Sequence, residues 1–514
     1  MSCRLTHHVF FAFKHQSAPS NEQQLSPFMS TFAPQTPIPA RTRLTSGDSA
    51  SIRNVAAYLG VSLLCLLPCF WQERIQASDL SSHLYNAWLA NVMMHHQMVG
   101  LHFASLSNNI EFDLILSTLL PALGVNWATR IAVGAAALLF FWSAFVFVRT
   151  LSRRQPWAIT PWLLALTYGM AFQLGLFNFY ISVAWSLLAV SCLWNRVTKM
   201  SAVALPLSVL AWLAHPLPLA VCVCLLIYER LARNVSIRVR YMLLVIAAAV
   251  LAAILVVTHQ HFPTHAPLFA TGASQLVFFS RSYYLPSAVF LIVAGMILAA
   301  NRDQVKRIAM EPFGATYLLC LLIVCLAPEE IDRHGTAPFT FVQERLTIFT
   351  ALFLCATVAR FAPKRIHVAG FAFAATVFFA LLYRDTATLN AMEDSIDQAI
   401  HTLPPYQRVV AAIKSHPNRG TDHILDRACI GYCYSYANYE PATNQFRIRA
   451  AYGNPFVLAR REDTIAVEHG AYRVRAQDLP LYEITESQSN PGLMSVVRLS
   501  EGDLAGADNT WKPF

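Results

Sequence analysis

The chain has 514 residues, of which 55% are hydrophobic and 13% are charged, and its formal net charge is +9. Soluble globular domains carry roughly 25% charged residues, so the composition excludes an ordinary soluble domain and indicates long lipid-facing helices. The basic residues cluster in short loops, and no basic face is interleaved with aromatic residues as a nucleic-acid groove requires. Membrane lipids are therefore expected partners, and nucleic acid is not.

Residues 1–50 are rich in Ser, Pro, Thr and Gln, and we expect a disordered cytoplasmic tail there. Residues 51–383 form a predicted multi-span domain, since a spanning helix needs about 20 apolar residues. Eleven candidate transmembrane helices follow one another: 55–71, 127–148, 157–173, 176–194, 201–214, 216–229, 241–258, 284–300, 313–328, 345–360 and 366–383. The stretch 112–124 is short and contains Pro121, so we predict an interfacial helix instead of a span.

The gaps between these helices alternate in charge, with arginine clusters such as Arg149, Arg153 and Arg154 in every second gap. Basic loops stay in the cytoplasm. The pattern predicts a cytoplasmic N-terminus and external regions at 72–126, 259–283 and 329–344, with the C-terminal region also external. Short loops favour a bacterial inner membrane.

The pair 201–214 and 216–229 is too short for two full spans, so we predict two half-depth helices that meet at His215-Pro216. Broken helices are tolerated where they line a cavity, and ionisable residues at membrane depth are functional candidates. His215 is therefore a candidate site residue. The alternative is a neutral imidazole bonded to a backbone carbonyl that the nearby prolines free.

Residues 384–514 predict a small extracytoplasmic α+β domain. Sequences 385–401 and 406–414 resemble helices, whereas 446–449 and 472–475 alternate with the period of two that is typical of strands. The chain is thus predicted to be an α-helical polytopic membrane protein with a small C-terminal α+β domain. Cys429 and Cys433 lie in this domain, where they form either a disulfide or two free thiols.

The first external loop, 72–126, contains an amphipathic helix beginning near Ser78. At 100° per residue, Asp79, His83 and Asn86 share one narrow polar face, and apolar residues cover the opposite side. We expect this helix to lie in the outer interface, apolar side down, with a carboxylate and an imidazole presented for acid–base chemistry. The alternative is that Asp79 only caps the helix and His83 is solvated.

Two further segments add to the pattern: Gly169 to Ile181, which ends Leu-Phe-Asn-Phe-Tyr, and Glu344-Arg345-Leu346 at the start of a late span. Together with Asp79, the span number and the external domain, they resemble integral membrane glycosyltransferases of the GT-C superfamily, in particular uncharacterised bacterial members. The resemblance implies transfer of a hexosyl or pentosyl group from a polyprenyl-phosphate donor to a cell-envelope acceptor. It gives Asp79 the role of the family's aspartate, which contacts the acceptor as base or metal ligand.

Such a reaction also needs a cation for the departing lipid phosphate, and the planar guanidinium group of arginine suits this task. Arg345 is the first candidate, because it lies at the outer end of a span, and Arg281 and Arg333 are the next. The alternative for Arg345 is a snorkelling anchor or a partner of Glu344.

Other polar residues of the external loops are weaker candidates. Glu330 and Asp332 are possible further groups of the donor or acceptor site, although an ordinary solvated loop is the favoured interpretation. His259, His261 and His265 are weak candidate ligands for a divalent metal ion, because their spacing matches no specific motif.

Two other functions stay open. A lipid or glycan transporter or flippase is less favoured, because the spans carry few ionisable residues and the sequence has no repeat symmetry. A non-catalytic envelope protein, with the membrane region as an anchor, is disfavoured because eleven spans exceed what an anchor requires.

Overall fold

The computed structural model of the chain describes residues 46–95, 98–194, 198–258, 271–329, 331, 340–413, 421, 423–443, 446–487 and 492–507. Helices dominate as far as residue 400. They are α1 Ser46–Leu66, α2 Leu80–His95, α3 Glu111–Ser152, α4 Thr160–Thr167, α5 Met170–Gln173, α6 Phe177–Trp194, α7 Thr198–Ala214, α8 Pro216–Arg233, α9 Ile237–Thr258, α10 Tyr284–Ala300, α11 Arg302–Met310, α12 Pro312–Leu326, α13 Val342–Ala359 and α14 Arg365–Ile400. The N-terminal tail predicted over 1–50 lies almost wholly outside the described residues.

Among the described residues, six helices are long and apolar enough to cross a membrane: Glu111–Ser152, Phe177–Trp194, Ile237–Ile254, Arg281–Ala300, Val342–Ala359 and Arg365–Ile400. Helices α11 and α12 make a seventh candidate if this pair, bent by 83°, is one broken span. The helices Asn54–Cys69 and Ser201–Ala214 are apolar but shorter. The fold is that of a helical membrane protein, and the predicted eleven spans are not confirmed.

The predicted span 157–173 is not one helix, because the chain breaks at Gly169 between α4 and α5. A Cβ atom added to Gly169 would lie 2.7 Å from the carbonyl oxygen of Gln275. Another segment therefore approaches the backbone closely at the point where the helix is interrupted, and glycine permits that approach.

Two other breaks coincide with predicted ones. Helix α3 has non-helical backbone at Gly124, so a short apolar helix precedes the long span as the sequence indicated. Helices α7 and α8 meet at His215-Pro216, where the His215 backbone is extended.

The C-terminal region contains a mixed four-stranded sheet of order β3-β2-β6-β7, in which β2 is parallel to β3 and β6, and β7 is antiparallel to β6. The strands of the chain are β1 Leu101–Phe103, β2 Arg408–Ala412, β3 Tyr434–Ser435, β4 Ile448–Ala450, β5 Tyr472–Arg473, β6 Leu481–Glu486, β7 Met494–Leu499 and β8 Leu504–Ala505. Two short helices, α15 Ile424–Ala428 and α16 Arg461–Glu468, accompany them.

The helix predicted over 406–414 is wrong, because β2 occupies this stretch at an inner position of the sheet. Val409 and Val410 are both fully buried there. An inner strand that is covered on both faces lacks the alternation of polar and apolar residues, which makes it resemble a buried helix in sequence. Strand β4 overlaps the stretch predicted at 446–449, and β5 lies within the one predicted at 472–475. Both pair outside the four-stranded sheet, with β1 and β8.

The C-terminal region is joined closely to the membrane helices. The predicted domain boundary at residue 384 falls inside α14, which continues to Ile400. In addition, β1 of the first external loop pairs with β4 of the C-terminal region. Arg427 of α15 lies 3.4 Å from the Glu393 carboxylate of α14, and it donates a hydrogen bond to the carbonyl oxygen of Ile75. Both of these charged side chains are buried.

Candidate functional site

Helix α2 packs between the membrane helices and the C-terminal region. Leu80 and Leu84 belong to the large apolar core of the membrane helices, whereas Tyr85 and Leu89 belong to the core that contains Val409. The helix predicted from the sequence is therefore present. It does not lie with an open polar face, however, because His83 and Asn86 are buried beneath the C-terminal region.

The loop between α5 and α6 positions Asp79 at the start of this helix. The backbone N–H of Asp79 donates to the carbonyl oxygen of Leu174 over 3.3 Å, and that of Ser78 donates to Gln173 over 3.0 Å. Gly175 has φ of +72°, and a Cβ atom there would lie 2.7 Å from the nitrogens of both Asp79 and Leu80. The segment 169–181 that the sequence singled out thus supports Asp79 through its backbone.

Asp79 is paired with a histidine of the C-terminal region. Oδ1 of Asp79 lies 3.3 Å from Nε2 of His423, and Nδ1 of the same ring lies 3.7 Å from Oδ2 of Asp426. The ring of Tyr439 packs on that of His423 with centroids 4.9 Å apart. The Asp79 and His423 side chains are 25% and 19% exposed, so this end of the cluster is open to a small reactant.

A second carboxylate–imidazole–carboxylate row lies deeper. His83 Nδ1 lies 2.7 Å from Oδ1 of Asp113 and 3.8 Å from Oε1 of Glu440. Asn178 of α6 donates from Nδ2 to the other oxygen of Asp113 over 2.9 Å. The His83 and Glu440 side chains are only 7% and 4% exposed, so this row is closed to solvent.

Ser82 and Asn438 connect the two rows. The Ser82 hydroxyl donates to Oε1 of Glu440 over 3.0 Å, and Asn438 Nδ2 donates to both the Ser82 hydroxyl and Oδ2 of Asp426. Asn86 donates from Nδ2 to Oδ1 of Asn438 over 3.0 Å. The predicted polar face of α2 therefore binds the segment 435–440, and the cluster is assembled from both ends of the chain.

The charges of the cluster set the protonation of its members. Burial opposes ionisation of Asp79, but the hydrogen bond and charge of His423, with His83 and Arg345, hold the pKa of that carboxyl below its usual range. Burial likewise lowers the pKa of His83, but Asp113 and Glu440 outweigh it and raise the value to about 9. Asp79 is therefore ionised and His83 protonated at neutral pH.

The deeper carboxyl groups behave in the opposite way. Burial raises the pKa of Glu440, and the neighbouring Asp113 carboxylate adds to this effect against the charge of His83. Burial also raises the pKa of Asp426, although His423, Ser435 and Asn438 favour its ionised form. Asp79, the most exposed of these three carboxyl groups, thus favours the charged state, whereas the pKa values of Glu440 and Asp426 are shifted toward the neutral form.

Arg345, in the first turns of α13, is the predicted phosphate-binding residue that the structure brings to this site. Its charge acts on Asp79, and its guanidinium lies 5.7 Å from the ring centroid of Phe179. The Phe179 ring also contacts the imidazole ring of His215, with ring centroids 5.7 Å apart. His215 caps α8, since its Nδ1 accepts the N–H of Leu217 over 3.2 Å, and this contact gives the imidazole a structural role.

The other candidates do not join Asp79 in the described part of the chain. Arg281 is exposed at the start of a short 3-10 turn, and no described contact connects it with the cluster. The remaining candidates lie outside the described residues: Glu330, Asp332, Arg333, His259, His261 and His265. Cys429 and Cys433 are joined by a disulfide directly after α15, the helix that carries Asp426.

The cluster does not fit a divalent metal ion. Within the described ranges, no group of three or more His, Cys, Asp and Glu side chains has the arrangement of a metal site. At His423 the two ring nitrogens face different carboxylates, those of Asp79 and Asp426, and at His83 Nδ1 is engaged by Asp113. These nitrogens therefore face separate partners and not a common centre.

Comparison with known proteins adds no identity: no family model, curated protein or solved structure matches the chain.

Proposed function

We propose that this protein is a membrane glycosyltransferase that moves a sugar from a polyprenyl-phosphate donor to a hydroxyl group of a cell-envelope acceptor. The observation that carries the proposal is the state of Asp79. It is a partly exposed carboxylate that the protein keeps ionised, with the cation Arg345 nearby and a histidine behind it. A base beside a phosphate-binding cation is what this reaction requires.

In the proposed reaction the acceptor oxygen attacks the anomeric carbon of the donor sugar. The bond between that carbon and the phosphate oxygen breaks, and the phosphate keeps the electron pair. Asp79 takes the proton of the acceptor hydroxyl, and Arg345 stabilises the negative charge of the departing lipid phosphate. His423 donates a hydrogen bond to Asp79 and thereby holds its carboxylate in one orientation. Attack opposite to the departing phosphate inverts the anomeric configuration.

The proposal includes a topology of eleven spans in a bacterial inner membrane, with the N-terminus in the cytoplasm and the C-terminal region outside. The alternation of basic and acidic gaps supports this orientation. It places the Asp79 cluster at the extracytoplasmic end of the helices, on the side where a lipid-linked sugar and an envelope acceptor meet.

The test is transfer from labelled polyprenyl-phosphate sugars by the purified wild-type protein and by Asp79→Asn, with Asp303→Asn as control. Asp303 is exposed in the first turn of α11, and more than 200 residues separate it from Asp79 in the sequence. Transfer by wild type and control that is lost in Asp79→Asn supports the proposal. Equal transfer by all three removes Asp79 as the base, and no transfer by the wild type with a panel of hexosyl and pentosyl donors counts against the enzyme class.

One observation favours a second function, proton-coupled transport of a lipid or glycan. The protonated His83 and the Asp113 carboxylate at the start of α3 form a buried pair, and such pairs carry protons in transporters. Flux of a labelled lipid-linked sugar across proteoliposomes, lost in Asp113→Asn and without any sugar transfer, would support transport and contradict the glycosyltransferase.

A further inference from the structure

A two-stranded ribbon on the surface carries exposed apolar side chains that no function described above uses. Strands β1 and β4 pair antiparallel, with His102 opposite Arg449. Val99 is 77% exposed just before β1, Phe103 at its end is 41% exposed, and Tyr452 just after β4 is 66% exposed. We call these residues, with the arginines beside them, the ribbon surface. Large apolar side chains grouped in this way on a surface mark an interaction site.

The charge of the ribbon surface has one sign. The stretches 98–110 and 446–460 contain no Asp or Glu, whereas the second carries Arg447, Arg449 and Arg460. The next residue, Arg461, is paired with Glu468 over 3.0 Å and is not part of the ribbon surface. Two of these cations lie over its aromatic rings: Arg447 is 5.0 Å from the ring centroid of Phe103, and Arg460 is 4.8 Å from that of Tyr452. The surface therefore presents apolar groups and cations side by side, which complements an anionic and apolar partner.

The ribbon surface is continuous with the apolar face of a membrane helix. Arg447 donates from Nη1 to the Ser117 hydroxyl of α3 over 2.9 Å. On the same helix, Leu114 is 44% exposed and Trp127 is 55% exposed. Exposed apolar residues on a spanning helix face lipid. The hydrogen bond between Arg447 and Ser117 therefore holds the ribbon next to the lipid-facing surface of α3.

We infer that the ribbon surface lies in the headgroup layer of the bilayer, where Val99, Phe103 and Tyr452 enter the acyl boundary and Arg447 and Arg460 bind lipid phosphates. Amphipathic aromatic rings and arginines whose aliphatic stems lie on apolar surface are the side chains that anchor proteins at this depth. The bilayer is the partner that offers phosphates next to hydrocarbon, which complements the neighbouring cations and apolar groups of the ribbon. This inference is independent of the glycosyltransferase proposal.

The test uses the full chain in nanodiscs, in a Cys3→Ser and Cys224→Ser background, with a nitroxide label attached at Val99→Cys. The matched control is Leu504→Cys, because Leu504 is also an exposed branched aliphatic residue, at 58%, but lies beside Glu501 and Asp503. The discs contain phosphatidylcholine alone or mixed with an equal amount of phosphatidylglycerol. Collision of the label with oxygen, which concentrates in lipid, is compared with collision with a water-soluble nickel chelate.

The expected result is that oxygen dominates at Val99 and the nickel chelate dominates at Leu504. Replacing Arg447 and Arg460 with Gln is expected to raise nickel collision at Val99 at least about twofold in the anionic discs, since each basic residue near an anionic surface contributes about 1 kcal/mol. A Val99 label with the same collision ratio as Leu504 would show a water-exposed surface and overturn the inference. Protection of Val99 from both reagents would indicate a protein partner or second copy, and would overturn it as well.

Discussion

Nε2 of His423 lies 3.3 Å from Oδ1 of Asp79, although Asp79 follows the first apolar helix and His423 precedes α15 in the C-terminal region. The contact makes the protonation of Asp79 depend on a residue from the opposite end of the chain. The C-terminal region is therefore part of the candidate active site and not a separate appendage.

The first prediction concerns this contact. Burial raises the pKa of Asp79, but His423 is the main group that lowers it below the usual value, by hydrogen bond and by charge. His423→Gln keeps an N–H donor without the charge, so the pKa of Asp79 should rise. Because a base must be ionised, the acid limb of the pH profile of kcat/KM for sugar transfer is expected to move to higher pH.

The control for this prediction is His401→Gln. His401 is exposed at the end of α14, and its Nδ1 contacts the carbonyl oxygen of Asp397. This variant should leave the acid limb where it is in the wild type. A His423→Gln enzyme that is merely slower, with an unshifted acid limb, would show that His423 acts on structure alone.

Part of this site was predictable because its signal is local. Asp79, His83 and Asn86 fall on one face of a helix at a spacing that any helical projection reveals, and Arg345 stands at the start of an apolar stretch. The structure brings all four to one region. Asp79, His83 and Asn86 could be found together from the sequence because helix geometry alone relates them, whereas Arg345 was found from its position at the end of a span.

The partners of these residues could not be found in this way. His423, Asp426 and Glu440 meet α2 through the tertiary fold, and no periodicity relates them to positions 79–86. The prediction of an open polar face on α2 failed for the same reason, because an amphipathic pattern does not say whether water or a second polar surface covers it.

The second prediction concerns the buried pair of His83 and Asp113. Burial lowers the pKa of His83, but the charge and hydrogen bond of Asp113, together with Glu440, outweigh burial and raise the pKa from its usual 6.5 to about 9. Because the pKa of His83 is higher in the folded than in the unfolded chain, protonated His83 contributes its full stabilisation below pH 6.5. This contribution is lost as the pH rises through about 9. Asp113→Asn should therefore lower the free energy of unfolding by about 3–5 kcal/mol near pH 6, and by much less near pH 10.

The measurement is the midpoint of thermal unfolding in detergent across that pH range. Asp303→Asn, on the exposed first turn of α11, is the control and should match the wild type at every pH. A difference between Asp113→Asn and wild type that stays constant with pH would contradict a charged His83.

The third prediction concerns the attachment of the C-terminal region. Arg427 and Glu393 are 6% and 1% exposed and lie 3.4 Å apart, so Arg427→Met leaves a buried carboxylate short of a cation. We expect a loss of about 3–5 kcal/mol in the free energy of unfolding. Arg384→Met removes an exposed partner of Asp385 and should cost at most about 1 kcal/mol.

The double variant Arg427→Met with Glu393→Leu separates charge from packing. It should recover much of the stability lost in Arg427→Met, since replacing both members of a buried pair by apolar groups is often close to neutral. Thermal unfolding in detergent again gives the comparison. A double variant less stable than Arg427→Met would mean that Glu393 is held mainly by Arg74 and Gln76, which also contact it.

The fourth prediction distinguishes the position of Asp79 from the stability of the fold. Gly175 and Gly431 have similar φ values of +72° and +78°, so Ala at either position costs about 1–2 kcal/mol of backbone strain. Only at Gly175 would the new Cβ atom meet neighbours, namely the nitrogens of Asp79 and Leu80 at 2.7 Å, whereas nothing lies within 4 Å at Gly431. Gly175→Ala must therefore displace the start of α2 and, with it, the Asp79 carboxylate.

A misplacement of about 1 Å costs roughly 100-fold in rate, so sugar transfer should fall by that factor in Gly175→Ala and stay near wild type in Gly431→Ala. Equal activity of the two variants, measured at a temperature where both are folded, would mean that the position of Asp79 does not govern the reaction.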